Sequence, residues 1–221
     1  MGALSGSMSA SRFQVRGDLP KDVRRAYVER IRLRTFEPLA ADEEAEERAG
    51  WCGLAQPFDL ELTASKLFQG PYLTLGVRVD KYRFPPAVLN AELSAASQAL
   101  RAKNGQEHLS RTQKTELRTR VVQRLRRKYL PSMRAFDVVW NLDKKELYSW
   151  SGSAALTGHL EALFELSFGL ELVPSSPWVD ALSLLTLPEQ RKRLAGVELT
   201  LLHEPNSLNT DSSRGTGDGS D

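Results

Sequence analysis

Hydrophobic positions along this chain change period several times, and each change marks an element. In "SRFQVRG", Phe13 and Val15 alternate with polar residues as in a short strand. The turn "GDLP" at 17–20 then opens a helix expected over about 20–36, with Pro20 near its first turn. Val23, Tyr27 and Ile31 recur every four residues as one apolar stripe, surrounded by Arg24, Arg25, Arg30, Arg32 and Arg34. Phe58, Leu60 and Leu62 alternate again, and "YLTLGVRV" sets Leu73, Leu75, Val77 and Val79 on one strand face. Pro85-Pro86 ends that stretch and starts a helical region, which reads as two helices over 87–129 separated near "KNGQ" by Gly105.

In the second of these helices, Leu117, Val121 and Leu125 repeat every four residues and form an apolar side with Val122 and Tyr129. Pro131 stops it, and "RAFDVVWNL" alternates Phe136, Val138, Trp140 and Leu142 before a hairpin turn "DKKE" into "LYSW". A helix over about 153–168 is expected next, N-capped by Ser153, closed by Gly169 and followed by the strand "LELV". Helices near 178–186 and 188–195 and a strand "VELTLL" complete the pattern. The Gly/Ser-rich residues 1–11 are expected to be flexible, and the Asn-, Ser-, Gly- and Asp-rich tail 204–221 to be disordered, because neither has much to bury.

The order β-α-β-β-α-α-β-β-α-β, with hairpins and alternating faces, predicts an α+β fold: mixed, largely antiparallel sheets with helices packed on one face. Residues 12–203 would form that body, as one domain or two subdomains, with a long helical segment over 87–130.

Composition narrows the possibilities. A chain of 221 residues, 41% hydrophobic, can bury a core without covalent staples. Cys52 is the only cysteine, which excludes an intramolecular disulfide and multi-cysteine metal sites and fits a reducing compartment. No apolar run approaches a membrane span, and "MGALSGSMSASRF" has no secretory pattern, so a cytoplasmic location without membrane contact is the expectation.

The net charge of +2, from 30 basic and 28 acidic residues, conceals an uneven distribution. "ADEEAEER" at 41–48 is acidic, whereas 101–136 is strongly cationic. Within "RTRVVQRLRRKYLP", Arg120, Arg124 and Arg127 are spaced by four and three and project together over roughly 10 Å of helix. Only Glu107 and Glu116 are near in sequence to offset Arg118, Arg120, Arg124, Arg126, Arg127, Lys128 and their basic neighbours. Such a density of like charge is relieved by a polyanion through counterion release, although a solvated face or a protein-docking surface has the same composition. No helix-turn-helix, zinc-finger or RNA-recognition signature accompanies it, so contact would be to the nucleic-acid backbone, without sequence preference.

Catalytic chemistry is thinly represented. His108, His159 and His203 fall in different elements, and no phosphate-cradling glycine loop with its Lys occurs. Asp59 and Glu61 would share a strand face able to hold a divalent ion, as in a nuclease, but no Lys follows at the expected spacing and a solvated face explains them as well. "SGS" at 151–153 lacks the flanking glycines of a nucleophile elbow and reads as a turn. Neither a metal nor a cofactor is expected.

Several segments, taken in order, resemble the recombination-associated protein RdgC family: "SRFQVRG", "AGWC" at 49–52, "DKYRFPPAVLNAEL" at 80–93, "RTQKTELRTRVV" at 111–122, "YLP" at 129–131, "VVWNLDKKELY" at 138–148 and "FGLELVPSSP" at 168–177. The resemblance spans about residues 12–177. It implies a non-enzymatic, sequence-independent DNA-binding protein, a homodimer closing into a ring around duplex DNA; single-stranded DNA is the alternative ligand that the sequence leaves open. Such a protein would be nucleoid-associated and would modulate recombinase access during recombination and repair. The family chain continues beyond the "VP" segment into a further α/β portion, which this sequence lacks. The residues expected to meet DNA are Arg118, Arg120, Arg124, Arg126, Arg127 and Lys128, with Arg78 and Lys81 as lesser contacts. The alternative is a truncated RdgC-like adaptor that uses the same arginines on a protein partner.

Overall fold

The computed structural model describes residues 2–4 and 9–196. Residues Met1–Ser176 make one compact unit and Pro177–Asp221 a second.

The first unit is built on a seven-stranded sheet in the order β2-β4-β5-β6-β1-β7, with β3 also paired to β4. The strands are β1 (Ser11–Arg16), β2 (Glu47–Cys52), β3 (Phe68–Gln69), β4 (Tyr72–Lys81), β5 (Ser132–Asn141), β6 (Glu146–Ser149) and β7 (Glu171–Pro174). Every named pairing is antiparallel, and the fold is α+β, as the alternating hydrophobic pattern implies. The longest ladder joins β4 to β5, from Tyr72 opposite Asn141 to Lys81 opposite Ser132.

That register sets Leu73 against Trp140, Leu75 against Val138 and Val77 against Phe136, so the alternating apolar residues of both strands share one face. Helices α1 (Val23–Arg32) and α5 (Ala154–Phe168) cover this face, adding Tyr27, Val28, Ile31, Leu160, Leu163, Phe164 and Phe168 to one continuous core. The short α2 (Ala64–Leu67) contributes Leu67. At the centre is an aromatic cluster. Tyr27 stacks on Trp140 at 5.5 Å, and Phe168 meets Tyr27 at 4.7 Å, Phe164 at 4.8 Å and Trp140 at 5.4 Å, within the offset and edge-on range that such rings favour. The Trp51 indole N–H donates to Ser167 Oγ at 2.8 Å, satisfying the one polar atom of that buried ring.

The other sheet face carries Thr74, Gly76, Arg78, Asp80 and Asp137 and is covered by loops. The segment 34–36 lies along β2: Phe36 N–H donates to Trp51 O at 2.8 Å, and Trp51 N–H to Arg34 O at 2.9 Å. The backbones come so close that a Cβ on Gly50 would sit 2.4 Å from Phe36 Cα. The Asp137 carboxylate accepts from the Ala3 N–H at 2.7 Å and the Ala55 N–H at 2.9 Å. Part of the expected flexible N-terminus is therefore tied to the sheet.

Between β4 and β5 the chain leaves the sheet as a helical hairpin, α3 (Pro86–Asn104) and α4 (Arg111–Arg126). Pro86 starts α3, and Gly105 closes it at φ 61°, a left-handed position that suits glycine. The two helices pack chiefly on each other, and α3 has no fully buried residue. In the second unit, α6 (Pro177–Leu184) and α7 (Pro188–Ala195) occupy the expected positions. The expected strand "VELTLL", His203 and the tail 204–221 lie outside the described residues.

Two local expectations need correction, and one strand was not expected. Residues 58–62 form no strand; Phe58 is exposed and Leu62 buried, so the alternation marks a loop that dips once into the core. The strand in this region is instead β2, whose "ERAGWC" carries too little alternation to announce itself. Ser153 holds the N-cap position of α5 without a side-chain cap bond, whereas Gly169 does close that helix at φ 67°.

Candidate nucleic-acid interface

The first turn of α4 is fixed by a capping box. Ser110 Oγ accepts from the Gln113 N–H at 3.2 Å, and Gln113 Oε1 accepts from the Ser110 N–H at 2.8 Å. From there Val121 and Leu125 turn inward, Leu117 and Val122 are half-buried, and Arg118, Arg120, Arg124, Arg127 and Lys128 are exposed. Residues 86–128 contain ten Lys and Arg against three Glu, so the hairpin as a whole is a cationic projection from a sheet of mixed charge.

The charge is less bare than the local sequence implies, because carboxylates arrive from elsewhere. Glu92 of α3 pairs with Arg124 and lies 3.9 Å from Lys128, and Glu116 lies 3.8 Å from Arg120. The acidic segment contributes Glu43, Glu44 and Glu46 to a groove shared with Arg118 and Arg126. These are solvent-facing contacts: the side chains of Arg120, Arg124 and Lys128 keep 74%, 50% and 60% of their exposure. A polyanion can displace such pairs at small cost. Among the described residues, Arg111, Lys114, Arg118 and Arg127 make no salt bridge at all.

Two of the expected contacts have structural work instead. Arg126 is buried; its guanidinium donates to the main-chain carbonyls of Glu43 and Glu44 and lies 5.1 Å over the Tyr82 ring. It anchors the root of α4 to the acidic segment, so it is not presented to a ligand as the sequence reading assumed. Arg78 forms a two-pronged bond to Asp80 at 2.9 and 2.7 Å and is flanked by the rings of Phe36 at 4.1 Å and Phe58 at 5.0 Å. Its bond to the Asp80 carboxylate raises its pKa further, so it is a permanent cation with a committed partner. Lys81 sits 2.7 Å from Glu47, whose carboxyl is held below its ordinary range first by that hydrogen bond. His159 approaches the same Glu47 at 3.7 Å.

The other candidates do not converge. Asp59 is bonded by Lys66 at 2.8 Å, which depresses its pKa, and the same ammonium lies 3.9 Å from Glu61. A lysine thus stands where a nuclease would bind its metal. His108 and His159 belong to separate parts of the fold, and no cluster of metal-ligating side chains occurs among the described residues. Cys52 is buried beside Gly76, and burial pushes its thiol up to about 12. No helix among the described residues is long and apolar enough to cross a membrane.

Sequence reasoning missed Glu92, because its partner is distant in sequence and the two meet only when α3 folds back on α4. In comparison with known proteins, no family model matches the chain, and no curated protein does either.

Proposed function

We propose that this chain is a non-enzymatic, sequence-independent DNA-binding protein, related to the RdgC family and acting in recombination by occupying DNA and so limiting recombinase access. The observation that carries the reading is the helical hairpin, whose residues 86–128 hold ten basic side chains, nine of them exposed, against three acidic ones. Arg120, Arg124 and Arg127 are the principal phosphate contacts, supported by Arg118 and Lys128. Lys81 is a lesser one, and Arg78 and Arg126 are left out because their guanidinium groups are engaged within the fold. A homodimer, closing as a ring or open, would present two such hairpins to one duplex.

The test is fluorescence anisotropy of a labelled random-sequence duplex across a salt series, with wild type and Arg120→Ala/Arg124→Ala/Arg127→Ala. The wild type should lose affinity steeply with salt, and the log–log slope should flatten by about two to three units in the variant. Absence of binding at low salt would overturn the reading.

A second reading, an adaptor that docks a protein through the same arginines, is favoured by one observation: Glu92 and Glu116 already show how carboxylates seat on this face. Recovery of one stoichiometric partner after nuclease treatment, with no DNA shift, would select it.

A further inference from the structure

Beside the C-terminal end of α4 a cleft of about 470 Å³ opens, walled by Phe58, Tyr82, Tyr129, Leu130 and Met133. Three of these residues are apolar and openly exposed: Phe58 at 75%, Leu130 at 92% and Met133 at 40%. They stand together at the wall of one cleft rather than scattered over the surface. The cleft also holds Arg78, Arg126, Arg127 and Lys128 against a single carboxylate, Asp80. Asp80 is fully engaged by Arg78, so the charge left to a ligand is positive.

We infer that this cleft receives an unpaired base of a single-stranded nucleic acid, whose phosphates are held by Arg127 and Lys128 at its rim. The inference rests on the DNA-binding reading above and narrows it to DNA with an unpaired segment. Two features argue for a base. The aromatic rings are braced in advance: Phe58 lies 5.0 Å from the Arg78 guanidinium, and Tyr82 is flanked by Arg126 at 5.1 Å and by Phe84 at 6.1 Å. Flat, pre-fixed rings beside cations suit a ligand that alternates planar faces with negative charge, which is how single strands are bound without regard to sequence. Paired bases in a duplex offer their faces only to one another, so the cleft would discriminate between the two forms. Its rim also continues the row of cations along α4, so a strand tracked by Arg120 and Arg124 is led directly to it.

The experiment compares three labelled DNAs at one salt concentration: a blunt duplex, the same duplex with a short thymidine overhang, and that duplex with an abasic overhang of equal length. The thymidine overhang should bind at least about fivefold more tightly than the blunt end, and the abasic one should lose most of that gain. Phe58→Ala should abolish the preference for the overhang and leave blunt-duplex affinity within twofold of wild type. Because Phe58 is exposed, this variant should fold; Leu130→Ala provides a second variant at the same cleft. Equal binding of blunt and thymidine ends, or an abasic overhang as good as the thymidine one, would overturn the inference while leaving the DNA-binding reading in place. Failure to bind any of the three would overturn both. An acidic amphipathic peptide that binds in a Phe58-dependent manner, with the overhang making no difference, would overturn it in favour of a protein ligand.

Discussion

Glu92 on α3 holds the guanidinium of Arg124 on α4 and the ammonium of Lys128 one turn later, so a single carboxylate masks two of the cations proposed to meet DNA. The pair is solvent-facing, and its loss should cost the fold less than about 1 kcal/mol. Glu92→Gln should therefore tighten duplex binding at low salt and steepen the salt slope by about one to two units, as two cations become free to neutralise phosphates. Anisotropy titrations of the variant against wild type measure both quantities; weaker binding would mean that the pair positions Arg124 for contact.

Arg78 and Asp80 should behave in the opposite way. Their side chains retain only 12% and 3% of their exposure, and removing one partner strands the other charge. Asp80→Ala should lower unfolding free energy by about 3 kcal/mol, measured by urea titration. Arg78→Met/Asp80→Ala should recover a good part of that loss, since no lone charge is then buried.

Gly50 is a test of close backbone approach. An added methyl would meet Phe36 Cα at 2.4 Å, against backbone that is itself hydrogen-bonded to β2 and has little room to retreat. Gly50→Ala should destabilise by about 2 kcal/mol or more, as overpacked core sites do, lowering the thermal midpoint without changing the sheet content seen by circular dichroism.

Alkaline pH should weaken the fold through two buried groups. The Tyr27 hydroxyl, which has no hydrogen-bond partner among the described residues, is pushed by burial from 10.0 up to about 12, and the Cys52 thiol from 9.0 up to about 12. Both raised values favour the neutral form in the folded state. Their contribution is thus complete below about pH 9 and is lost as pH rises towards 12. Tyr27→Phe should leave stability at pH 7 within about 1 kcal/mol of wild type, because the unpartnered hydroxyl contributes no bond. It should also make the alkaline loss shallower in a series of urea titrations, whereas a steeper loss would contradict this account.

What could be read from the sequence is what depends on near neighbours. The alternation in Leu73–Val79 and Phe136–Trp140 identified the central strands and their inward faces, because a strand with one buried face must alternate. Pro86, Gly105 and Gly169 marked helix ends by backbone chemistry alone. Residues 47–52 hid a strand because Ala49 and Gly50 offer little apolar signal, while Phe58 to Leu62 imitated one. The basic side of α4 was visible, but the groups that meet it were not, since the Glu92 carboxylate and the main-chain carbonyl of Glu43 reach it through tertiary folding. The cleft was invisible for the same reason: Phe58, Tyr82 and Met133 come from three separate stretches of chain.

Lys81 and Ser132 stand directly opposite each other at the end of the β4–β5 ladder, so everything from 82 to 131 is an excursion between two strands already in register. The buried apolar side chains of that excursion, Leu109, Val121 and Leu125, lie outside the main core cluster. The sheet and the hairpin are therefore separable in design. A two-residue turn could join the strands where the helices now stand, and the helices could lengthen, shorten or exchange their charge with little disturbance to the sheet. Evolution could retune what this scaffold grips by editing a single insertion.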